Sequence, residues 1–255
     1  MKKQQEREVL QKISCKDCLI EERVKKLETA YLAMRHDKAV LLADNRRLKR
    51  ELETDELTGL KKTRQFEKLC WKTIHNHFQK KKEPIPSTMN ELREKGQDGY
   101  FVVFIDLDGL KMANDTPVEL GGGHKAGDDL LRRLANTLQK RTRKDDLVVR
   151  LSANADEFGV CLTGTNFFEA EHSIERIRHH FEEKSFLRFP VLAKHFDSLG
   201  LKISFSYGIQ EIFLEYTEKE IRNVITRADG IMHSHKERRK QDRRSMQQAC
   251  EFPFS

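Results

Sequence analysis

Long apolar runs are missing from this sequence. The longest, Tyr100 to Ile105, has six residues, far short of the ~20 that a helix needs to cross a bilayer, so a membrane-spanning helix is excluded. The opening MKKQQEREVLQ is basic but has no apolar stretch behind it, unlike a secretory leader. A cytoplasmic location is the expectation. Cysteines are few and odd in number, at positions 15, 18, 70, 161 and 250, which argues against a disulfide framework. Cys15 and Cys18 form a CxxC with no second CxxC or paired histidines beside it. A metal site there lacks two ligands, and a redox role needs a lowered thiol pKa that sequence does not reveal.

Charge, by contrast, is plentiful. Charged residues make up 35% of the 255-residue chain against 37% hydrophobic ones, with a net charge of +7. Such a balance suits a mid-sized domain plus a solvated helix or tail. It is also compatible with nucleic acid, an anionic surface or phosphorylated small molecules. The excess is local: residues 1–53 hold 14 basic and 10 acidic side chains, whereas KERRKQDRR at 236–244 holds six and two. No aromatic residue interrupts that basic run to stack on bases, which argues against nucleic acid. A solvated helix end is the simpler reading.

The first 53 residues carry a heptad repeat. Ile13, Ile20, Leu27, Met34, Leu41 and Leu48 recur every seven residues, and a second series runs Leu10, Asp17, Val24, Tyr31, Lys38, Asn45 and Leu52. This is the d and a pattern of a coiled coil, with polar a positions that favour a two-stranded, in-register pair. The repeats would span roughly 60 Å at 1.5 Å per residue, too long to lie against one small domain, so a homodimer through this helix is expected.

From about Thr54 onward helix and strand signals alternate. Helices are predicted at 64–79, 126–142, 167–183 and 218–235, and strands at 100–106, 147–151, 158–162 and 201–209. The prolines of KKKEPIPS end the first helix, and SANADE joins the middle strands as a hairpin. The order fits an α/β sandwich whose sheet contains antiparallel pairs. The domain boundaries expected are 1–53 for the coiled coil, 54–240 for the α/β domain and 241–255 for a basic, polar tail.

The strand at 100–105 ends in Asp106 and Asp108, which alternation puts on one face with Leu107 on the other. The hairpin offers Asp156 and Glu157. Carboxylates on a strand end and a neighbouring hairpin suit a divalent-metal phosphoryl-transfer site, because hard oxygen ligands hold Mg²⁺ against a triphosphate. Aspartates at strand ends also form turns, and on the residues alone both readings stand.

Six motifs in order resemble the GGDEF domain of diguanylate cyclases over about residues 54–240. DELTGL at 55–60 resembles DxLTGL, FIDLDGLKMAND resembles DIDxFKxxND, and GHKAGDDLL at 123–131 resembles GHxxGDxxL. RKDDLVVRL followed by NADEF at 154–158 is similar to RxxDxxxRY followed by GGDEF. ISFSYGI at 203–209 and ADGIMHSHK at 228–236 complete the series. The resemblance implies a palm-like mixed sheet flanked by helices, related to adenylyl cyclases and preceded here by the coiled-coil helix. It implies that two such domains face each other, each holding one GTP, and make cyclic di-GMP with release of two pyrophosphates. It puts Mg²⁺ (or Mn²⁺) on Asp106, Asp156 and the Leu107 carbonyl. Glu157 would help activate the ribose 3′-hydroxyl, directly or through a second metal. Asn114 and Asp128 would read the guanine edge, where a carboxylate pairs with N1–H and N2–H donors. Lys236 would hold the triphosphate. Lys240 stands where the family has arginine, keeping the charge without the fork. Arg143 and Asp146 match the RxxD of the product-inhibition site, with Arg176 or Arg178 as a further arginine; as bare residues they read as a surface ion pair.

Three departures fall on the active-site loops. NADEF replaces both glycines of the signature, and Ala155 adds a Cβ where backbone would approach phosphate. The hairpin is two residues longer than the family's, and PVELGG at 117–122 lengthens the loop before Gly123 by five. The chemical side chains survive, so the expectation is an active cyclase. The alternative is a degenerate domain that binds GTP or cyclic di-GMP as a regulatory module.

Overall fold

The β-branched and aromatic run beginning at Tyr100 becomes the central strand of a five-stranded sheet. The computed structural model describes the backbone of residues 2–63, 65–81, 99–152 and 156–251, and side chains over 23–48, 53–63, 65–80, 99–152, 156–238 and 241. The chain forms two compact units, Met1–Leu52 and Glu53–Ser255.

The first unit is one helix, α1 (Lys2–Glu53), unbroken by proline or glycine. Val24, Leu27, Tyr31, Met34, Leu41 and Leu48, the heptad positions with apolar side chains described, are all exposed. The side chains of Leu10, Ile13, Ile20 and Leu52, and of Cys15 and Cys18, lie outside the described residues.

The second unit runs β1 (Lys61–Lys62), α2 (Phe66–Lys81), β2 (Gly99–Asp108), α3 (Leu110–Asp115), a 3-10 turn (Val118–Leu120), α4 (His124–Arg141), β3 (Leu147–Arg150), β4 (Glu157–Thr165), α5 (Phe167–Arg188), α6 (Pro190–Ser198), β5 (Ser204–Ile212) and α7 (Glu218–Glu251). The strand order is β1-β3-β4-β2-β5. β1 is parallel to β3 and every other pair is antiparallel.

β2 is buried along both faces, which is why it reads as a continuous apolar run rather than an alternating one. Its odd residues, Phe101 to Leu107, pack with α4, α5 and α6; its even residues, Tyr100, Val102 and Phe104, pack with α2 and α7. Each helix meets the sheet through residues three and four apart, such as Phe66, Cys70, Ile74 and Phe78 of α2. Gly208 of β5 lets α7 lie directly on the sheet: a Cβ there would stand 1.9 Å from the Ala228 carbonyl oxygen.

Several elements depart from the sequence reading. α3 has only six residues, too few to show a helical period. α6 follows Arg188 after a single residue and is announced by Pro190 at its first position. β5 lies three residues later than expected at each end. α7 runs on to Glu251, through the point where the tail was drawn. No helix among the described residues is long and apolar enough to cross a membrane.

Candidate functional site

The even face of β2 changes character at its C-terminal end. After Phe104 the next two residues on that face are Asp106 and Asp108, and α7 delivers Lys236 to both. The Lys236 ammonium donates a short hydrogen bond to Asp106 Oδ1 and lies 3.9 Å from Asp108 Oδ1. Asp108 also accepts from the Ser206 hydroxyl of β5, at 2.7 and 2.9 Å. Ser206 stands directly across from Asp106; it lies within the ISFSYGI motif, where the sequence had assigned it no role.

On the other side of β2, Asp106 is opposite Glu157, the first residue of β4. The Leu107 N–H donates to the Asp156 carbonyl at 3.1 Å, extending the ladder one step past the strand. Sheet register thus brings Asp106, Asp156 and Glu157 together, as expected from the strand end and hairpin. Residues 153–155, including the Asn154 and Ala155 that replace the glycines, lie outside the described residues.

Burial first, and crowding of like charge after it, favour the protonated forms of these groups. Burial pushes the Asp106 carboxyl above its usual range, and Asp156 and Asp108 add to this against the opposing pull of Lys236. Glu157 is also raised, by burial first and then by Asp106, Asp156 and Asp229, with His233 opposing. Asp229 and His233 face each other one turn apart on α7, at 3.3 Å. Among the described residues no three carboxylate, imidazole or thiolate side chains converge as they stand on a point that could hold a metal ion. The donor chemistry nevertheless fits a hard divalent cation: mutually repelling carboxylates, partly desolvated, with an ammonium supplying the compensating charge.

Asn114 is the penultimate residue of α3 and Asp128 lies in the first turns of α4. The two helices pack closely because Gly127 has no side chain, and a Cβ on it would fall 2.0 Å from Asn114 Oδ1. Asp128 is half exposed, with Arg132 Nη2 3.9 Å away. The inserted PVELGG folds into a compact turn, its Gly122 N–H donating to the Pro117 carbonyl at 3.1 Å. The Lys240 side chain lies outside the described residues.

A buried ion pair fixes the strand that leads into the acidic loop. Asp55 accepts from Arg150 Nη1 at 2.8 Å, from the Thr58 N–H at 2.8 Å and from the Thr58 hydroxyl at 2.6 Å. Burial raises its carboxyl, but these donors outweigh burial and hold it below the ordinary value. Both residues stand in motifs quoted above, yet their pairing, 95 positions apart, had no signal in the sequence.

Arg143 and Asp146 sit in the turn between α4 and β3, and they are not a simple ion pair. Asp146 accepts from the N–H of Arg143 at 2.8 Å and of Thr163 at 2.9 Å. Burial raises its carboxyl while these N–H groups oppose the rise. The exposed Arg143 guanidinium donates to the Gly164 carbonyl at 3.2 Å. Arg176 lines the same cleft, whereas Arg178 is engaged by Glu175 on its own helix.

Comparison with known proteins yields one family. The family model described as "Diguanylate cyclase, GGDEF domain" matches residues 52–242. Diguanylate cyclase A of Treponema denticola is 27% identical over 199 residues, 78% of this chain and 46% of that protein. Probable diguanylate cyclase DgcT of Escherichia coli is 37% identical over 83 residues, 32% of this chain and 17% of that protein. The chain spans less than half the length of these relatives. Among solved structures, the coiled coil and GGDEF domain of DgcB from Caulobacter crescentus, in complex with c-di-GMP, superposes with a TM-score of 0.57. It is 18% identical, over 83% of this chain and 94% of that one. The diguanylate cyclase SiaD from Pseudomonas aeruginosa, in complex with its activator SiaC, gives 0.50 at 21% identity, over 89% and 74%. At these identities the likeness is one of fold.

Proposed function

We propose, from the premise that this chain belongs to the GGDEF diguanylate cyclase family, that it condenses two GTP to cyclic di-GMP and two pyrophosphates. The observation that carries this reading is the register of β2 and β4, which sets Asp106 beside Glu157 with Lys236 reaching Asp106 from α7.

Asp106 and Asp156, with the Leu107 carbonyl, are the groups suited to hold Mg²⁺ or Mn²⁺. When bound, such an ion supplies charge neutralisation on the triphosphate and a more acidic ribose hydroxyl. The chain's own side chains do the rest. Glu157 accepts the proton of the 3′-hydroxyl; its raised affinity for protons suits a base, provided it is ionised at the working pH. Lys236 exchanges Asp106 for the triphosphate, and Lys240 adds charge on the same helix. Asn114 and Asp128 orient guanine, held at a fixed spacing by the close approach at Gly127. Each subunit binds one GTP, so two sites must face each other, and the exposed apolar stripe of α1 is suited to bring two copies together. Arg143, Asp146 and Arg176 form a cleft suited to bound product, and calorimetry of Arg143→Ala with cyclic di-GMP tests that role: equal affinity to the unaltered protein would refute it.

A second reading, nucleotide binding without turnover, is favoured by the asparagine and alanine at positions 154 and 155. One experiment separates the two. Purified protein is incubated with GTP and Mg²⁺, and the nucleotides are resolved by chromatography. Cyclic di-GMP from the unaltered protein, reduced about 10²-fold or more in Glu157→Gln, supports catalysis. Bound GTP with no cyclic product overturns it in favour of a regulatory module.

A further inference from the structure

A second charged concavity lies outside every residue assigned above to GTP, metal or product. It is a groove of about 530 Å³ between α4 and α5, with Phe189 in its lining. Arg132, Arg133, Lys140 and Arg141 enter it from α4, and Lys184 and Arg188 from α5. His180 joins the last two, completing a stripe with one residue every four along α5. Asp129 is the one carboxylate lining the groove, and it is bonded to Arg132 at 2.7 Å. Lys140, Lys184 and Arg188 form no ion pair among the described residues.

Folding alone gives no reason for this arrangement. Lys184 and Arg188, like charges four residues apart on α5, oppose helix formation by a few tenths of a kcal/mol. Facing them with cations from a second helix adds to the repulsion. Burial and neighbouring cations act in the same direction on these side chains. Burial lowers the proton affinity of Arg133, and Arg188 lowers it further, against the opposing pull of Asp129. His180 is lowered by slight burial, then by Arg141 and Lys184, with Glu183 opposing and Arg133 adding to the fall. Arg141 is left donating to the His180 ring at 3.1 Å rather than to an anion.

We propose that this groove binds a compact polyphosphorylated anion, one carrying a chain of adjacent phosphates. Its volume falls in the ~300–1,000 Å³ range of small-ligand sites, and guanidinium forks from two helices match phosphate oxygens bidentately. Nucleic acid fits less well. Neither ring in the lining is free to stack on a base: Phe189 has Arg133 over it at 6.0 Å, and the His180 ring accepts from Arg141 at 3.1 Å. The site is separate from the cyclase reading and stands or falls without it.

Calorimetry on the full chain with inorganic tripolyphosphate, at about 0.15 M ionic strength to screen distant charges, tests this. One saturable site is expected. The pair Lys184→Glu and Arg188→Glu, both on the exposed face of α5, should weaken it about tenfold or more. The milder pair Lys184→Gln and Arg188→Gln should give a smaller loss in the same direction. Lys219→Gln, an exposed cation of α7 that does not line the groove, should leave it unchanged. ATP serves as the nucleoside arm: tighter binding than tripolyphosphate identifies a nucleotide, and equal binding identifies the phosphate chain alone. The proposal is overturned by absence of saturable binding, by equal affinity in the charge-reversed pair, or by an equal loss in Lys219→Gln. Tighter binding of a single-stranded oligonucleotide than of tripolyphosphate would also overturn it, marking the face as a nucleic-acid surface.

Discussion

Asp55 and Arg150 are each only a few per cent exposed at the side chain, and such a pair costs most when one partner is removed. Asp55→Asn should destabilise the second unit by about 3–5 kcal/mol, because the guanidinium stays buried without its anion. The unfolding midpoint in urea measures this. The pH dependence follows from the same geometry. The donors around Asp55 hold its folded-state pKa below the ordinary value of 3.8, so its contribution is complete above the unfolded value. It is lost as pH falls through the folded one. Unfolding curves between neutral pH and about pH 3 should therefore show a loss in the unaltered protein that is smaller in Asp55→Asn. Identical pH profiles would remove this pair as the cause.

Among the elements, the contact between α7 and β5 has the least room. Gly208→Ala would drive a methyl group into the Ala228 carbonyl, which is backbone and cannot rotate away. A loss of at least about 1–3 kcal/mol is expected, with Lys236 displaced because it rides on the same helix. A circular-dichroism melt reads the first effect, and weakened GTP binding reads the second. Full stability in Gly208→Ala would mean that α7 sits further from the sheet. The long elements were legible from sequence: the apolar run of β2, the helical spacing of Leu130, Leu131, Leu134 and Leu138 in α4, and the acidic strand end that register later set beside Glu157. Short elements were not, because α3 completes fewer than two turns and α6 is separated from α5 only by Phe189. Partners from distant parts of the chain were not legible either. Ser206 meets Asp108, and Arg150 meets Asp55, only because strand order brings them side by side. The arginine sharing a cleft with Arg143 stayed open between 176 and 178 until helix rotation decided it.

At the scale of the whole molecule, the two units make different demands. The second has its own two-sided core and should fold without the first, whereas the apolar stripe of α1 finds no cover among the described residues. Removal of residues 1–50 should leave a folded protein that sediments as a monomer and whose specific activity climbs with concentration. The helix pair is what would otherwise supply millimolar effective concentration. Full activity of the truncated protein at high dilution would contradict that role. The bond between Lys236 and Asp106 has a further consequence, for how the protein is stored. The domain carries a tethered counter-ion of its own, so its acidic cluster is never bare of positive charge even in metal-free buffer. A divalent cation arriving with nucleotide, as in the proposed reaction, would displace a resident rather than fill a void. Chelation by EDTA should therefore silence turnover while moving the melting temperature by less than about 2 °C, under about 1 kcal/mol for a domain of this size. In Lys236→Ala the same treatment should lower the melting temperature further, because the resident is gone and the carboxylates then depend on a borrowed ion.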